Sequence, residues 1–167
     1  LTYDSEDVNI IDSYGFSHLV FDYTKGPISP LFNEIRNIFL FLEQSTGIVV
    51  EDVYRIKGNL SLPLSSNQTF NPPHTDVDDE GFYSLIYYVD DSDGETVIFD
   101  KMYGENILDY NIVESIKPKK GRAVLLRSDQ YHASANPITS DTRYVLNFVF
   151  KAFKRDNIWM YTGHHTK

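Results

Sequence analysis

Apolar positions along this chain change their period near residue 47. Between Pro30 and Thr46, residues Leu31, Ile35, Ile38, Phe39 and Leu42 recur at three- and four-residue intervals, the spacing that lines one face of a helix. Ser29-Pro30 ahead of them offers an N-cap and a first-turn proline, and Gly47 behind them a C-terminal stop. One helix is expected, its apolar face packed on the outside of a sheet. A short strand, His18 to Tyr23, and a turn at Lys25-Gly26-Pro27 precede it.

From Ile48 onward the texture is β. Ile48-Val49-Val50, Tyr54-Arg55-Ile56-Lys57, Asn59-Leu60-Ser61-Leu62 and Ser84 to Val89 are rich in β-formers or alternate in polarity, as are Gly94 to Phe99, Arg122 to Arg127 and Arg143 to Phe148. Asp90 to Gly94 and Pro118 to Gly121 read as turns, and Lys101 to Asn111 as irregular. Many short strands after one main helix predict a mainly β (α+β) architecture, a jelly roll with a packed N-terminal helix. We expect a single domain: residues 1–47 as support, 48–154 as the core and 155–167 as a tail.

Composition narrows the class. At 167 residues the chain is long enough to bury a core, and its 12 Tyr and 11 Phe make it globular in composition. A net charge of −9 argues against a nucleic-acid partner, because phosphate backbones call for a basic face. With no Cys, disulfides are excluded. No run of residues is long and apolar enough to span a membrane and no leader pattern opens the chain, so the expected location is cytoplasmic.

The chemistry-bearing stretch is Asn71-Pro72-Pro73-His74-Thr75-Asp76. In an extended segment residues two apart share a face, so His74 and Asp76 offer an imidazole and a carboxylate on one side. His132 follows in Asp-Gln-Tyr-His-Ala, after the apolar run Ala123 to Leu126, whose strand is expected to carry the chain to it. Two His and one carboxylate make the facial set that holds non-haem iron(II) with open positions left over. The plainer alternative is a pair of ordinary surface or core histidines. Further on, Arg143 opens a strand. Its guanidinium fork matches a carboxylate, although a structural ion pair with Asp141 is the competing reading. Arg55, Lys57, Asn59 and Ser61 share one face if their strand is continuous, and that face is either solvated or lines the cavity.

These pieces in this order resemble the Fe(II)/2-oxoglutarate-dependent oxygenases, in particular the small prolyl-4-hydroxylase-like branch with its short phage and bacterial members. The resemblance rests on Pro73-His74-Thr75-Asp76, Ile86 to Val89, Asp93 to Phe99, Pro118 to Leu125, His132 and Thr142 to Phe148, and covers roughly residues 54–152. It implies a double-stranded β-helix with the metal in its mouth, held by His74, Asp76 and His132. Iron(II), 2-oxoglutarate and O2 are the implied cofactors, with ascorbate as an accessory. Arg143, Tyr88, Thr96, Asn59 and Asn147 are the implied cosubstrate contacts. Strand alternation turns Tyr87 and Tyr88 to opposite faces, and Tyr88 is chosen on the resemblance. Where many relatives carry Ser or Thr two residues after the Arg, this chain has Val145, a departure that leaves the second carboxylate anchor open. The implied reaction is hydroxylation of a C–H bond, with a prolyl residue in a peptide or protein as the leading substrate and a free amino acid or small metabolite second. The resemblance also points to a bacterial or phage-infected cell.

Two readings from other classes remain: a jelly-roll module that binds without catalysis, and a cupin-like metalloenzyme without 2-oxoglutarate. Lesser signals are read plainly. Asp76, Asp78, Asp79 and Glu80 lack the spacing of a calcium loop. The Asn59 and Asn67 sequons are discounted. Ser65 to Gln68 is a candidate lid. His164-His165 reads as a terminus rather than a metal site.

Overall fold

The computed structural model describes residues 15–63 and 70–154. The expected lid, the Asn67 sequon and the tail lie outside these residues. Nine strands follow one another as β1 (Gly15–Asp22), β2 (Gly26–Pro27), β3 (Ile48–Ser61), β4 (Phe82–Tyr88), β5 (Thr96–Met102), β6 (Ile112–Ile116), β7 (Ala123–Arg127), β8 (Gln130–Ser134) and β9 (Arg143–Lys154). They form two antiparallel sheets, one ordered β2-β1-β3-β9-β4-β7 and the other β6-β5-β8. His74 pairs across from His132 and adds a short fourth line to the smaller sheet. The chain crosses repeatedly between the two layers, which is the winding of a double-stranded β-helix.

Alternation along the strands sorts the residues into two cores. One face of the large sheet carries Ile56, Leu85, Leu146, Phe148 and Phe150. The other carries Ile86, Tyr88, Val124, Leu126 and Val145, which pack between the sheets. The registers Ile86↔Asn147, Tyr88↔Val145, Lys57↔Asn147, Asn59↔Val145 and Ser61↔Arg143 place the polar residues of β3 and β9 on that same inner face. Inter-sheet space is therefore apolar at the β4–β7 side and polar at the β3–β9 side.

The outer face is covered by helix, as its apolar stripe predicts, but in two pieces: α1 (Leu31–Ile35) and α2 (Ile38–Thr46). Arg36 and Asn37 keep right-handed helical angles, while Phe39 and Leu40 bond three residues back instead of four, so the junction is a tightened turn. Asn33 and Asn37, weak helix formers, flank it. The helix starts one residue later than expected, with Pro30 at the N-cap position, while Ser29 Oγ accepts from the Leu31 amide. Gly47, at φ 72°, closes α2 in the left-handed conformation that only glycine takes without strain. Phe39 meets Phe148 and Phe150 edge-on at 5.5 Å each, fixing α2 to the sheet.

Other strand expectations need adjusting. The three short β segments after Ile48 are one 14-residue strand, β3, with bulges near Val50 and Val53 that keep it paired to both neighbours. β5 runs on to Met102, and β6 lies in a stretch without a β pattern because it is an exposed edge whose side chains mostly face solvent. His132 does not end the β7 strand. After β7 the chain turns at Ser128-Asp129 and enters the other sheet as β8, with His132 at its centre.

Candidate active site

His74 and Asp76 sit on the extended segment before β4, and backbone hydrogen bonds hold that segment to β8. His74 and His132 exchange amide-to-carbonyl bonds of 2.9 Å in both directions, and the Asp76 amide donates to the Ser128 carbonyl at 2.9 Å. A directly paired antiparallel couple puts both side chains on one face. The two imidazoles accordingly lie 4.6 Å apart, centroid to centroid, with His132 Nε2 3.6 Å from Asp76 Oδ2. One ligand atom from each of His74, Asp76 and His132 can be chosen with all three within 4.8 Å of one another.

The donor set fits a metal in detail. His132 Nδ1 lies 2.9 Å from the Gln130 carbonyl and His74 Nδ1 3.4 Å from the Pro72 carbonyl. A carbonyl can only accept, so each Nδ1 carries the proton and each Nε2 keeps a free lone pair for the metal. Burial pushes the His132 pKa down, toward the neutral form that coordinates. Asp76, its side chain 4% exposed, is oriented by three donors. Arg55 Nη2 reaches Oδ1 at 2.7 Å, Ser84 Oγ reaches Oδ2 at 2.6 Å, and Asn147 Nδ2 bridges both oxygens at 3.2 and 3.1 Å. Burial raises the Asp76 pKa, but the Ser84 and Asn147 hydrogen bonds and the Arg55 charge work against it, and the carboxyl is held below its ordinary value. A deprotonated carboxylate and two imidazoles that turn Nε2 away from the backbone carbonyls suit iron(II).

At the far end of the same space stands Arg143, only 3% exposed. Its Nε donates to the Gly94 carbonyl and its Nη2 to Thr96 Oγ1, both at 2.8 Å. Among the described residues it has no carboxylate partner, and Asp141 is exposed, so the ion-pair reading fails. Burial disfavours its charge. A buried guanidinium without a counterion calls for an anion from outside. The Tyr88 hydroxyl donates to Thr96 Oγ1 at 2.8 Å, so Thr96 accepts from both Tyr88 and Arg143 and keeps its own proton to donate.

A cavity of about 240 Å³ joins the two ends, lined by His74 and His132 on one side and Thr96, Arg143, Val145 and Asn147 on the other. Several other clefts are larger, and the two of about 470 and 440 Å³ include none of the three ligands. One lies along the Asp91–Asp93 and Lys117–Lys119 turns, the other between α2 and the outer face of β4 and β7. The smaller cavity is the one with convergent chemistry.

Residues 62–151 match the profile of the 2OG-Fe(II) oxygenase superfamily, more than half of the chain. The chain belongs to this superfamily. It is thus an iron- and 2-oxoglutarate-dependent oxygenase, and the His74–Asp76–His132 cluster is a set of residues that could hold its metal. A solved oxidoreductase of the 2OG-Fe(II) oxygenase family from Burkholderia pseudomallei superposes with a TM-score of 0.56 at 17% identity, over 86% of this chain and 70% of that one. AviO1 from Streptomyces viridochromogenes gives 0.58 at 13% identity, over 80% and 66%. The alpha-ketoglutarate-dependent epimerase SnoN from nogalamycin biosynthesis gives 0.52 at 12% identity, over 75% and 58%. At such identities the likeness is one of fold, and this oxygenase spans between 58% and 70% of the length of those three chains. No curated protein matches it. Among the described residues no helix is long and apolar enough to cross a membrane.

The remaining candidates fall as follows. Tyr88 points inward and is fully buried, while Tyr87 turns to the helix side. Tyr88 spends its hydroxyl on Thr96 and does not line the cavity. Asn59 does line it, with its Oδ1 accepting from Ser17 Oγ at 3.1 Å. Asn147 serves Asp76. Sequence reasoning missed Arg55 and Ser84 as the partners that aim Asp76. The alternation of Arg55, Lys57, Asn59 and Ser61 carried a signal for Arg55. Ser84, inside an apolar run, carried none.

Proposed function

We propose that this oxygenase is a dioxygenase that hydroxylates an aliphatic C–H bond, with the ring of a prolyl residue as the leading substrate. The carrying observation is Arg143: a buried, unpaired guanidinium in the same cavity as the His74–Asp76–His132 cluster. In this reading His74, Asp76 and His132 hold iron(II). Arg143 and the Thr96 hydroxyl receive the distal carboxylate of 2-oxoglutarate, and Tyr88 orients Thr96. Thr96 thereby supplies the second anchor that Val145 lacks. Bound there, iron(II) and 2-oxoglutarate supply the O2-dependent oxidation, which converts R–H, 2-oxoglutarate and O2 to R–OH, succinate and CO2. The chain itself contributes ligand geometry, carboxylate binding and shielding: Ile86 and Val145 line the cavity wall and keep water off the reacting region.

The test is anaerobic absorption during titration with iron(II), then 2-oxoglutarate. A visible charge-transfer band that requires both is the expected result. H74A and D76A are expected to abolish it. R143Q is expected to bind iron normally but to need about 10- to 100-fold more 2-oxoglutarate, the cost of a lost charge-assisted pair. Metal binding without a band would favour the cupin-like reading, and no metal binding the non-catalytic module.

A further inference from the structure

An aromatic cleft opens on the inner face of the large sheet, beyond the metal cluster. Its volume is about 300 Å³, and Tyr23, Asp52, Tyr54, Phe82 and Lys151 line it. Phe82 and Lys151 pair across β4 and β9, and four residues along the same uninterrupted register Ile86 and Asn147 pair. Ile86 and Asn147 line the cavity shared with His74 and His132. Alternation puts all four side chains on one face, with Ser84 between them on Asp76. Along β9 the order is therefore Arg143, Asn147, Lys151: cosubstrate end, support of the metal ligand, cleft. At about 3.3 Å per residue the cleft lies about 13 Å from the Ile86–Asn147 pair, on the side away from Arg143.

The cleft is built from rings that the core does not use. Tyr23 is 58% exposed and Tyr54 41%. Tyr54 is the extra residue of the bulge between Val53 and Arg55. Its ring meets Phe82 edge-on at 5.7 Å and stacks on Tyr23 at 6.4 Å. The Tyr23 amide donates to the Tyr54 carbonyl at 2.9 Å, which holds the two rings together. Grooves lined by aromatic rings take polyproline II segments, whose prolines pack on the rings while their carbonyls stay open to donors such as a tyrosine hydroxyl. Asp52 adds charge. Lys151, across from it in the register, gives its ammonium to Glu51 at 3.5 Å, and among the described residues Asp52 has no cation of its own.

We propose that this cleft docks the substrate peptide: Tyr23, Tyr54 and Phe82 hold a proline of an extended segment, and Asp52 pairs with a lysine or arginine beside it. The inference rests on the prolyl reading above and deepens it, because it selects a basic, proline-rich peptide over a free amino acid. Polyproline II rises about 3.1 Å per residue, so the docked proline lies about four residues from the one presented at the metal.

The test uses decaproline flanked by lysines and decaproline flanked by glutamates, both acetylated and amidated, with the protein loaded with iron(II) and 2-oxoglutarate. Binding is read anaerobically by calorimetry, and succinate release in air. The lysine peptide is expected to bind about two- to fivefold more tightly than the glutamate peptide, and to stimulate succinate release. Y54A is expected to raise both its dissociation constant and its half-stimulating concentration about tenfold. The maximal rate is kept, and the charge-transfer band forms at the wild-type 2-oxoglutarate concentration. Y23A, on the neighbouring ring, is expected to behave alike, and D52N to erase the preference for lysine. The proposal is overturned if the lysine peptide does not bind or binds without stimulating, if Y54A and Y23A bind it as wild type does, or if D52N keeps the preference. A concentration-dependent dimer that Y54A dissolves would assign the cleft to a second copy of this chain, which also overturns it. A wild-type protein that forms no charge-transfer band would sink the dioxygenase reading itself, an outcome distinct from all of these.

Discussion

Asp76 concentrates the logic of the site in one side chain. Its two oxygens accept from Arg55, Ser84 and Asn147, so the carboxylate is ionised and aimed before any metal arrives. Groups that orient a ligand commonly tune metal affinity nearly as strongly as the ligands do. S84A removes the shortest of these bonds and only one oxygen atom, leaving Arg55 and Asn147 in place. Iron(II) affinity, read by competition with a chelator, is expected to fall about tenfold, with an unchanged far-ultraviolet spectrum.

At the scale of elements, the site depends on two turns being locked together. Asp93, in the turn before β5, accepts from the amides of Ile138, Thr139 and Ser140 and from the Thr139 hydroxyl, all in the connection before β9. The lock brings Gly94 against that connection and its carbonyl onto Arg143. A Cβ at Gly94 would lie 2.6 Å from the Ala135 carbonyl oxygen, 2.9 Å from the Pro137 nitrogen and 3.0 Å from Arg143 Cδ. Two of those neighbours are backbone and cannot swing away. G94A is therefore expected to cost about 1–3 kcal/mol of stability and, by displacing Arg143, to raise the 2-oxoglutarate requirement while iron binding persists.

The same lock is sensitive to acid. Partial burial raises the Asp93 pKa, but the Thr139 and Ser140 hydrogen bonds overcome it and hold the carboxyl well below the carboxylate range. A group depressed on folding stabilises fully above its unfolded pKa, about 3.9, and that contribution is lost as pH falls toward the folded value. D93N is expected to cost about 1–2 kcal/mol near neutrality. Its deficit against wild type should shrink as pH is lowered below about 4. Thermal melts of both proteins, from about 1.5 units below that pKa to about 3 units above it, measure it; a constant deficit would count against the lock.

Across the whole molecule, one sheet does two jobs. Its outer face is apolar and covered by α1 and α2, and its inner face changes from apolar at β4 and β7 to polar at β3 and β9. His74 and His132 come from the opposite layer, so in the proposed reading the metal and cosubstrate sites span both sheets. Ligands that bind the folded form alone stabilise it: at about 100 times their dissociation constant the gain is about 2.7 kcal/mol, or roughly 5–10 °C in Tm for a chain of this size. Anaerobic iron(II) with 2-oxoglutarate should raise the wild-type Tm by that much and leave D76A unmoved.

Local order settled a good deal before any folding was considered. Period three-to-four up to Thr46 and period two after Ile48 placed the helical stripe and most strands, because burial on one face leaves its repeat in the residues. His74 and Asp76 on one face, and Tyr87 and Tyr88 on opposite faces, follow from the same alternation; that Tyr88 is the inward one came from the resemblance. Edge strand β6 left no such trace, since most of its side chains face solvent. The helix break at Arg36-Asn37 left only two weak helix formers as a hint. What the tertiary structure alone decided is which distant groups meet. Arg55 reaches Asp76 across 21 positions, Asp93 reaches Thr139 across 46, and Arg143 is left buried without an acid. Pairings of that kind depend on register between strands far apart in the chain, and on which side chains the fold leaves unmatched, and neither is a property of any single segment.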